Sequence, residues 1–189
     1  LTLLHLGGTA VTDAGVAHFK DCTALTHLNL GRTAVTDAGL AHFGRCAGLT
    51  ELVLFVSPAV TDAGVAHFKD CRALAVLDLG ATKVGDAALA HAAGWKELKQ
   101  LNLNDTAATD AVAGHLRDCP KLDRLGLSGT GLTDAGLARL AGCKALTMLD
   151  VRKTRVTAKG VADFTAAVPG CRVQHDDGTT GGAADAKRE

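Results

Sequence analysis

The chain has no tyrosine, one tryptophan, one methionine and three prolines in 189 residues, and aromatic residues make up 3% of it. So thin a supply excludes the stacking platforms on which proteins hold unpaired bases. There is no excess of charge either, since 20 Lys and Arg offset 20 Asp and Glu. Without a basic stripe, neither nucleic acid nor an acidic membrane surface is an expected partner. Apolar runs of the roughly 20 residues that span a bilayer are missing. The six cysteines never form C-x-x-C, which removes the spacing of zinc ribbons and redox motifs. Gly7 to Thr9 and Ser128 to Thr130 are small-residue turns with no lysine where a phosphate loop needs one. What is abundant is apolar residues, 47% of the chain, dealt out as Leu, Val and Ala in short steps. That is enough for one domain with a sizeable core.

The steps recur. Units begin at Leu1, Leu25, Leu49, Leu74, Leu98, Leu122 and Leu146, with a broken eighth expected from Cys171. The period is 24, stretched to 25 in the third unit and again before Cys171. Each unit opens with L-x-x-L-x-L, as at Leu25, Leu28 and Leu30. After a turn comes T-D-A-G-[LV]-A-x-[FL]-x-x-C, as in TDAGVAHFKDC from Thr12.

This pattern, from residue 1 to about 175, resembles the leucine-rich repeat family. The Thr-Asp, the Gly three residues after the Thr and the late Cys are similar to the ribonuclease-inhibitor-like and cysteine-containing subclasses of bacterial and F-box proteins. The resemblance implies an α/β solenoid, a horseshoe with a parallel concave sheet and convex helices.

Elementary geometry leads to the same shape. L-x-L alternates with period 2, so Leu28 and Leu30 face inward while His27 and Asn29 face out. Val35, Leu40, Phe43 and Cys46 fall on one helical face, with Thr36 as N-cap and Asp37 in the first turn. Parallel strands stack about 4.8 Å apart, whereas packed helices need roughly 8 to 10 Å. The helical layer therefore lies outside the bend.

Several positions depart from the pattern. In the family an Asn at the ninth position satisfies backbone groups of the turn, but here Thr9, Thr33, Thr82, Thr106, Thr130 and Thr154 occupy it, and a hydroxyl ladder is expected in place of the amide ladder. Phe55, Val56, Ser57 and Pro58 carry an extra residue, so that turn bulges. Trp95 stands in the Cys slot and Gly85 in the cap slot, which predicts different outer packing in the fourth unit. V-P-G-C-R-V at 168 to 173 reads as a closing strand. Residues 176 to 189, rich in Gly and Ala, read as a disordered tail after a repeat domain of residues 1 to 175. The chain opens inside a repeat, so a truncated and fraying first edge is expected, on an otherwise monomeric protein.

Chemistry finds little footing. His18, His42, His67, His91 and His115 form a column, but helices roughly 9 Å apart cannot bring two imidazoles within about 2.1 Å of one zinc ion. Cys22, Cys46, Cys71, Cys119 and Cys143 read as free thiols packed as small hydrophobes, which favours a reducing, cytoplasmic location. Asp150 and His175 are expected as strand neighbours, yet no motif places a nucleophile beside them. No catalytic residue, metal or cofactor is expected, and the protein is read as non-enzymatic.

The predicted function is a protein-interaction scaffold that binds a protein partner on the concave face. The alternative is a substrate-recognition arm of a larger enzyme or of an F-box type ubiquitin ligase. Outward positions vary between units at no packing cost, so the candidate partner-binding residues are Val53, Phe55, Val56, Val76, Asp78, Lys99, Gln100, Arg124, Asp150 and Arg152. Apolar residues gather in units three and four and charged ones later, the layout of an apolar anchor beside a polar rim. Phe55 is read either as that anchor or as a plug in the stretched turn.

Overall fold

A computed structural model describes residues 1–181. Each L-x-L step forms a strand of three or four residues: β1 (Leu3–His5), β2 (His27–Asn29), β3 (Glu51–Val53), β4 (Val76–Asp78), β5 (Gln100–Asn102), β6 (Arg124–Gly126), β7 (Met148–Asp150) and β8 (Arg172–His175). They pair in chain order, all parallel, and β9 (Gly178–Thr180) adds to β8 antiparallel. Leu4, Leu28, Leu52, Leu77, Leu101, Leu125, Leu149 and Val173 stand in register as one buried row. The strands are short because only the L-x-L step alternates. On either side the chain turns toward the opposite layer.

That layer holds α1 (Asp13–Val16), α2 (Asp37–Leu40), α3 (Asp62–Ala66), a 3-10 helix (Asp86–Gly94), α4 (Val112–Leu116), α5 (Asp134–Leu140) and α6 (Ala158–Ala167). The two layers close over a core in which Leu40, Phe43, Phe68 and Leu89 have no exposed surface. Thr36, Thr61, Thr133 and Thr157 cap their helices, each hydroxyl accepting a backbone N–H of the first turn.

The register corrects two expectations. Met148 pairs with Arg172, so the last step is 24 residues and not 25, and Asp150 stands opposite Gln174 rather than His175. The eighth unit therefore does not begin at Cys171. Residues 176 onward are not all outside the fold either, because Gly178, at φ 128°, turns the chain so that Thr179 and Thr180 pair with Gln174 and Val173. The remainder of the expected tail, residues 182–189, lies outside the described residues.

The ninth-position threonines satisfy their turns with hydroxyls, each donating to the carbonyl three residues earlier: Thr33 to Leu30, Thr82 to Leu79, Thr130 to Leu127. Among the described residues these bonds link no unit to the next. Ser57 holds the same position in unit three, where the inserted residue moves closure to its backbone, and Val60 N–H donates to the Ser57 carbonyl. Its buried hydroxyl finds no partner among the described residues.

Units are tied together by the aspartate of the repeated T-D-A-G instead. Asp37 accepts from the Thr61 amide at 2.9 Å and the Thr61 hydroxyl at 2.6 Å, one unit further on. Asp13, Asp86, Asp110 and Asp134 make the same pair of bonds to Thr36, Thr109, Thr133 and Thr157. The glycine of the motif makes room for this carboxylate. A Cβ on Gly39, Gly64, Gly136 or Gly160 would run into the aspartate of the preceding unit. Where that slot holds Ala88 or Val112 the helix changes: the fourth unit becomes 3-10, and α4 starts two residues after Asp110.

The cysteine row packs as expected, with Cys46, Cys71, Cys119 and Cys143 buried and Cys22 half-buried, all free thiols. Burial pushes the Cys71 and Cys119 thiols up to about 11, so neither is a nucleophile at neutral pH. Cys46 and Cys71 donate to the carbonyl of the cysteine one unit earlier. From unit four onward the accepting carbonyl lies three residues further back, as Trp95 donates to Phe68, Cys119 to Ala92 and Cys143 to Leu116. The shift of about one helical turn begins at Trp95, and the later units, whose slot is again Cys, keep it.

Candidate functional site

Alternation along each strand leaves two outward side chains per unit, which stack into two rows across the sheet. The first row runs Leu3, His27, Glu51, Val76, Gln100, Arg124, Met148 and Arg172. The second runs His5, Asn29, Val53, Asp78, Asn102, Gly126, Asp150 and Gln174. Gly126 is the one member of either row without a side chain. The missing bulk opens a hollow of about 260 Å³ over β4 to β8.

The hollow gathers five of the ten residues expected at a binding face: Val76, Asp78, Gln100, Arg124 and Asp150. It adds Asn102, Asn104, Gly126, Met148 and Gln174, which the sequence reading passed over. Met148 is 37% exposed, an apolar side chain standing among polar ones. The signal that could have found it is that it is the sole methionine and falls on the outward phase of its strand.

The other five expected residues are placed differently. Val53 is the register partner of Asp78 at the edge of the hollow. Phe55 and Val56 line a separate recess of about 160 Å³ with Gly80, Ala81, Asn102, Asn104 and Asp105. The Phe55 ring lies against Gly31 of the preceding turn, with the Arg32 guanidinium 5.1 Å from its centroid. It is half-buried between units, as a plug would be, with one side left facing the recess. Lys99 is exposed just before β5 and lines neither cavity. Arg152 grips Asp150 with two bonds, Nη2 to Oδ2 at 2.6 Å and Nε to Oδ1 at 2.9 Å. That pairing, together with the register, removes the expected Asp150–His175 contact.

Val56 is conformationally strained. The eighth residue of every unit takes positive φ, and the slot is filled by Gly8, Arg32, Val56, Ala81, Asp105, Gly129 and Lys153. At φ 53° Val56 is the β-branched member, which this region disfavours most. Val56→Gly should therefore raise stability by about 1 kcal/mol, read as a higher urea midpoint at unchanged m-value. A lower midpoint would show that the exposed Val56 side chain packs better than its backbone is strained.

The electrostatics of the hollow divide it. Burial raises the Asp78 carboxyl, against hydrogen bonds from the Gly80 amide and Asn102 that lower it. Burial also acts to raise Asp150, but the bonds and charge of Arg152 outweigh it and hold that carboxyl below the ordinary range. Asp150 is thus neutralised, and Asp78 carries the net charge of the floor. No group of three His, Cys, Asp or Glu is placed to hold a metal among the described residues. The histidine column lies on the opposite layer, with His18 and His67 exposed.

Residues 21–43 match the Leucine Rich repeat family model. No curated protein matches the chain. Among solved structures the chain is similar to internalin C2 of Listeria monocytogenes, with a TM-score of 0.74 at 23% identity over 92% of this chain and 70% of that one. It is also similar to a leucine-rich repeat protein of Leptospira interrogans, with a TM-score of 0.70 at 18% identity over 92% of this chain and 48% of that one. A third is the ectodomain of the Arabidopsis receptor kinase HAESA in complex with a peptide hormone, with a TM-score of 0.64 at 17% identity over 81% of this chain and 26% of that one. The chain thus spans about half of the Leptospira protein and about a quarter of the receptor ectodomain. The fold is that of a leucine-rich repeat solenoid.

Proposed function

We propose that this leucine-rich repeat solenoid is a non-enzymatic scaffold that binds a protein or peptide partner on its concave face, over β4 to β8. The observation that carries the reading is the hollow at Gly126, where the sheet's outward rows lose a side chain and an exposed methionine meets polar and charged neighbours. A concave surface that mixes exposed apolar, polar and charged side chains suits a protein interface, and stacked repeats commit their other side chains to packing. A receptor ectodomain of the same fold is solved with a peptide hormone, which supports a peptide-sized occupant. The cysteine row supports the cysteine-containing subclass. A recognition arm of a larger enzyme would use the same face.

Panning a random peptide library on the protein and measuring the selected peptides against two variants tests this. Arg124→Ala combined with Met148→Ala should weaken them at least about tenfold, or about 1.4 kcal/mol, while His67→Ala on the opposite face should leave them unchanged. Peptides weakened by the second variant and not by the first would place binding on the helical layer and overturn the reading.

A further inference from the structure

The side-chain oxygens at the floor of the hollow are fixed in place by hydrogen bonds from neighbouring amides. Asn102 Nδ2 donates to Asp78 Oδ1 at 2.8 Å, the Asn104 amide to Asn102 Oδ1 at 2.9 Å, and the Ser128 amide to Asn104 Oδ1 at 2.8 Å. The vacancy above Gly126 is bounded by those same oxygens. A Cβ placed there would come within 2.8 Å of Asn104 Oδ1 and 3.0 Å of Asn102 Oδ1. Each carbonyl oxygen has a second lone pair free.

Asp78 adds the charge. Its Oδ1 is held by Gly80 and Asn102, and no cation among the described residues pairs with it. Arg124 stands two strands away on the other row, 4.0 Å from Asp123, and Arg152 is taken by Asp150. A half-buried carboxylate without a counter-ion is costly and gains from an arriving cation. On the same strand as Asp78 stands Val76, which offers an apolar surface to a methylene stem.

We infer that the hollow at Gly126 receives one basic side chain of the partner, a lysine or arginine, with its stem on Val76 and its charged head among the Asp78, Asn102 and Asn104 oxygens. The inference rests on the concave face being the binding face. An acidic side chain would meet the Asp78 carboxylate, and a purely apolar one would leave it uncompensated. The specificity is set by Gly126, because any other residue there would fill the place of the head group.

Nuclear magnetic resonance titration with Nα-acetyl-lysine methylamide, its norleucine counterpart and its glutamate counterpart provides the test. The lysine probe should give saturable shifts at the Gly126 amide, the Asn102 side-chain amide and the Val76 methyls, with a Kd at least about tenfold below that of norleucine. Asp78→Asn keeps the size of the side chain and an oxygen for Gly80, so the rest of the spectrum should be retained while the lysine preference disappears. Equal affinity for norleucine, shifts centred elsewhere, no shifts at all, tighter binding of the glutamate probe or an unchanged preference in Asp78→Asn would each overturn the inference. Library peptides that need Arg124 and Met148 but contain no lysine or arginine would leave the binding face standing and remove the basic side chain from it.

Discussion

Trp95→Ala should lower stability by about 3 to 5 kcal/mol, more than any other single truncation in the chain. The indole is fully buried, and its Nε1 donates to the Phe68 carbonyl at 3.3 Å, so truncation leaves both a large cavity and an orphaned acceptor. Trp95→Cys restores the residue of the other units without restoring their packing. A thiol is far smaller than the fully buried ring, so most of the space the indole occupies in unit four stays unfilled. The expected cost of Trp95→Cys is therefore still above about 2 kcal/mol. In a stacked array each unit touches only its neighbours, so a break at unit four should also split urea unfolding into two steps. Wild-type stability in Trp95→Cys would show that the indole is a passive substitute for the thiol.

The second large effect concerns Asp37 and Gly64, which belong to different units and act as one contact. Asp37→Ala removes two hydrogen bonds to Thr61, a loss of about 2 kcal/mol once discounted for partial exposure. Gly64→Ala drives a methyl into the Asp37 carboxylate and, at 2.9 Å, into Leu40 Cδ1, for about 1 to 3 kcal/mol. The double variant should cost less than the sum by about 1 kcal/mol, because the methyl then enters the space the carboxylate has left. Strict additivity in a double-mutant cycle by urea denaturation would refute the coupling.

The same contact makes a pH prediction. At Asp134 the Thr157 amide first, and its hydroxyl second, hold the carboxyl below its ordinary value. A carboxyl lower in the fold than in the unfolded chain stabilises above the unfolded value of about 3.9 and loses that contribution as pH falls through the folded one. Wild type should therefore lose stability on acidification below about pH 4, and Asp134→Asn should flatten that loss. An equally steep loss in Asp134→Asn would assign it to other carboxylates.

The aspartate of the repeat shows where a sequence reading stops. Thr36 and Asp37 are legible as a cap and a first-turn charge because both roles depend on residues within one turn of helix. The bonds of Asp37 go to Thr61, one unit on, and the space it fills is given by Gly64. No local rule joins residues 24 and 27 apart. The hydroxyl row is legible for the same reason as the cap, since Thr33 bonds within its own turn.

The sequence alone determined the seven repeat strands and their parallel direction, the inward leucine row, the helical layer and its capping threonines, because each follows from periodicities of 2 and 3.6 repeated every 24 residues. Tertiary structure decided everything that depends on which unit stands opposite which. Register set Asp150 against Gln174 and gave its charge to Arg152, and antiparallel pairing drew residues 178–180 into the sheet. Stacking put the bare Gly126 between Asn102 and Asp150, which turned a missing side chain into a hollow. The physical reason is that a repeat specifies its own backbone locally, whereas a cavity is a property of neighbouring side chains brought together only by the stack.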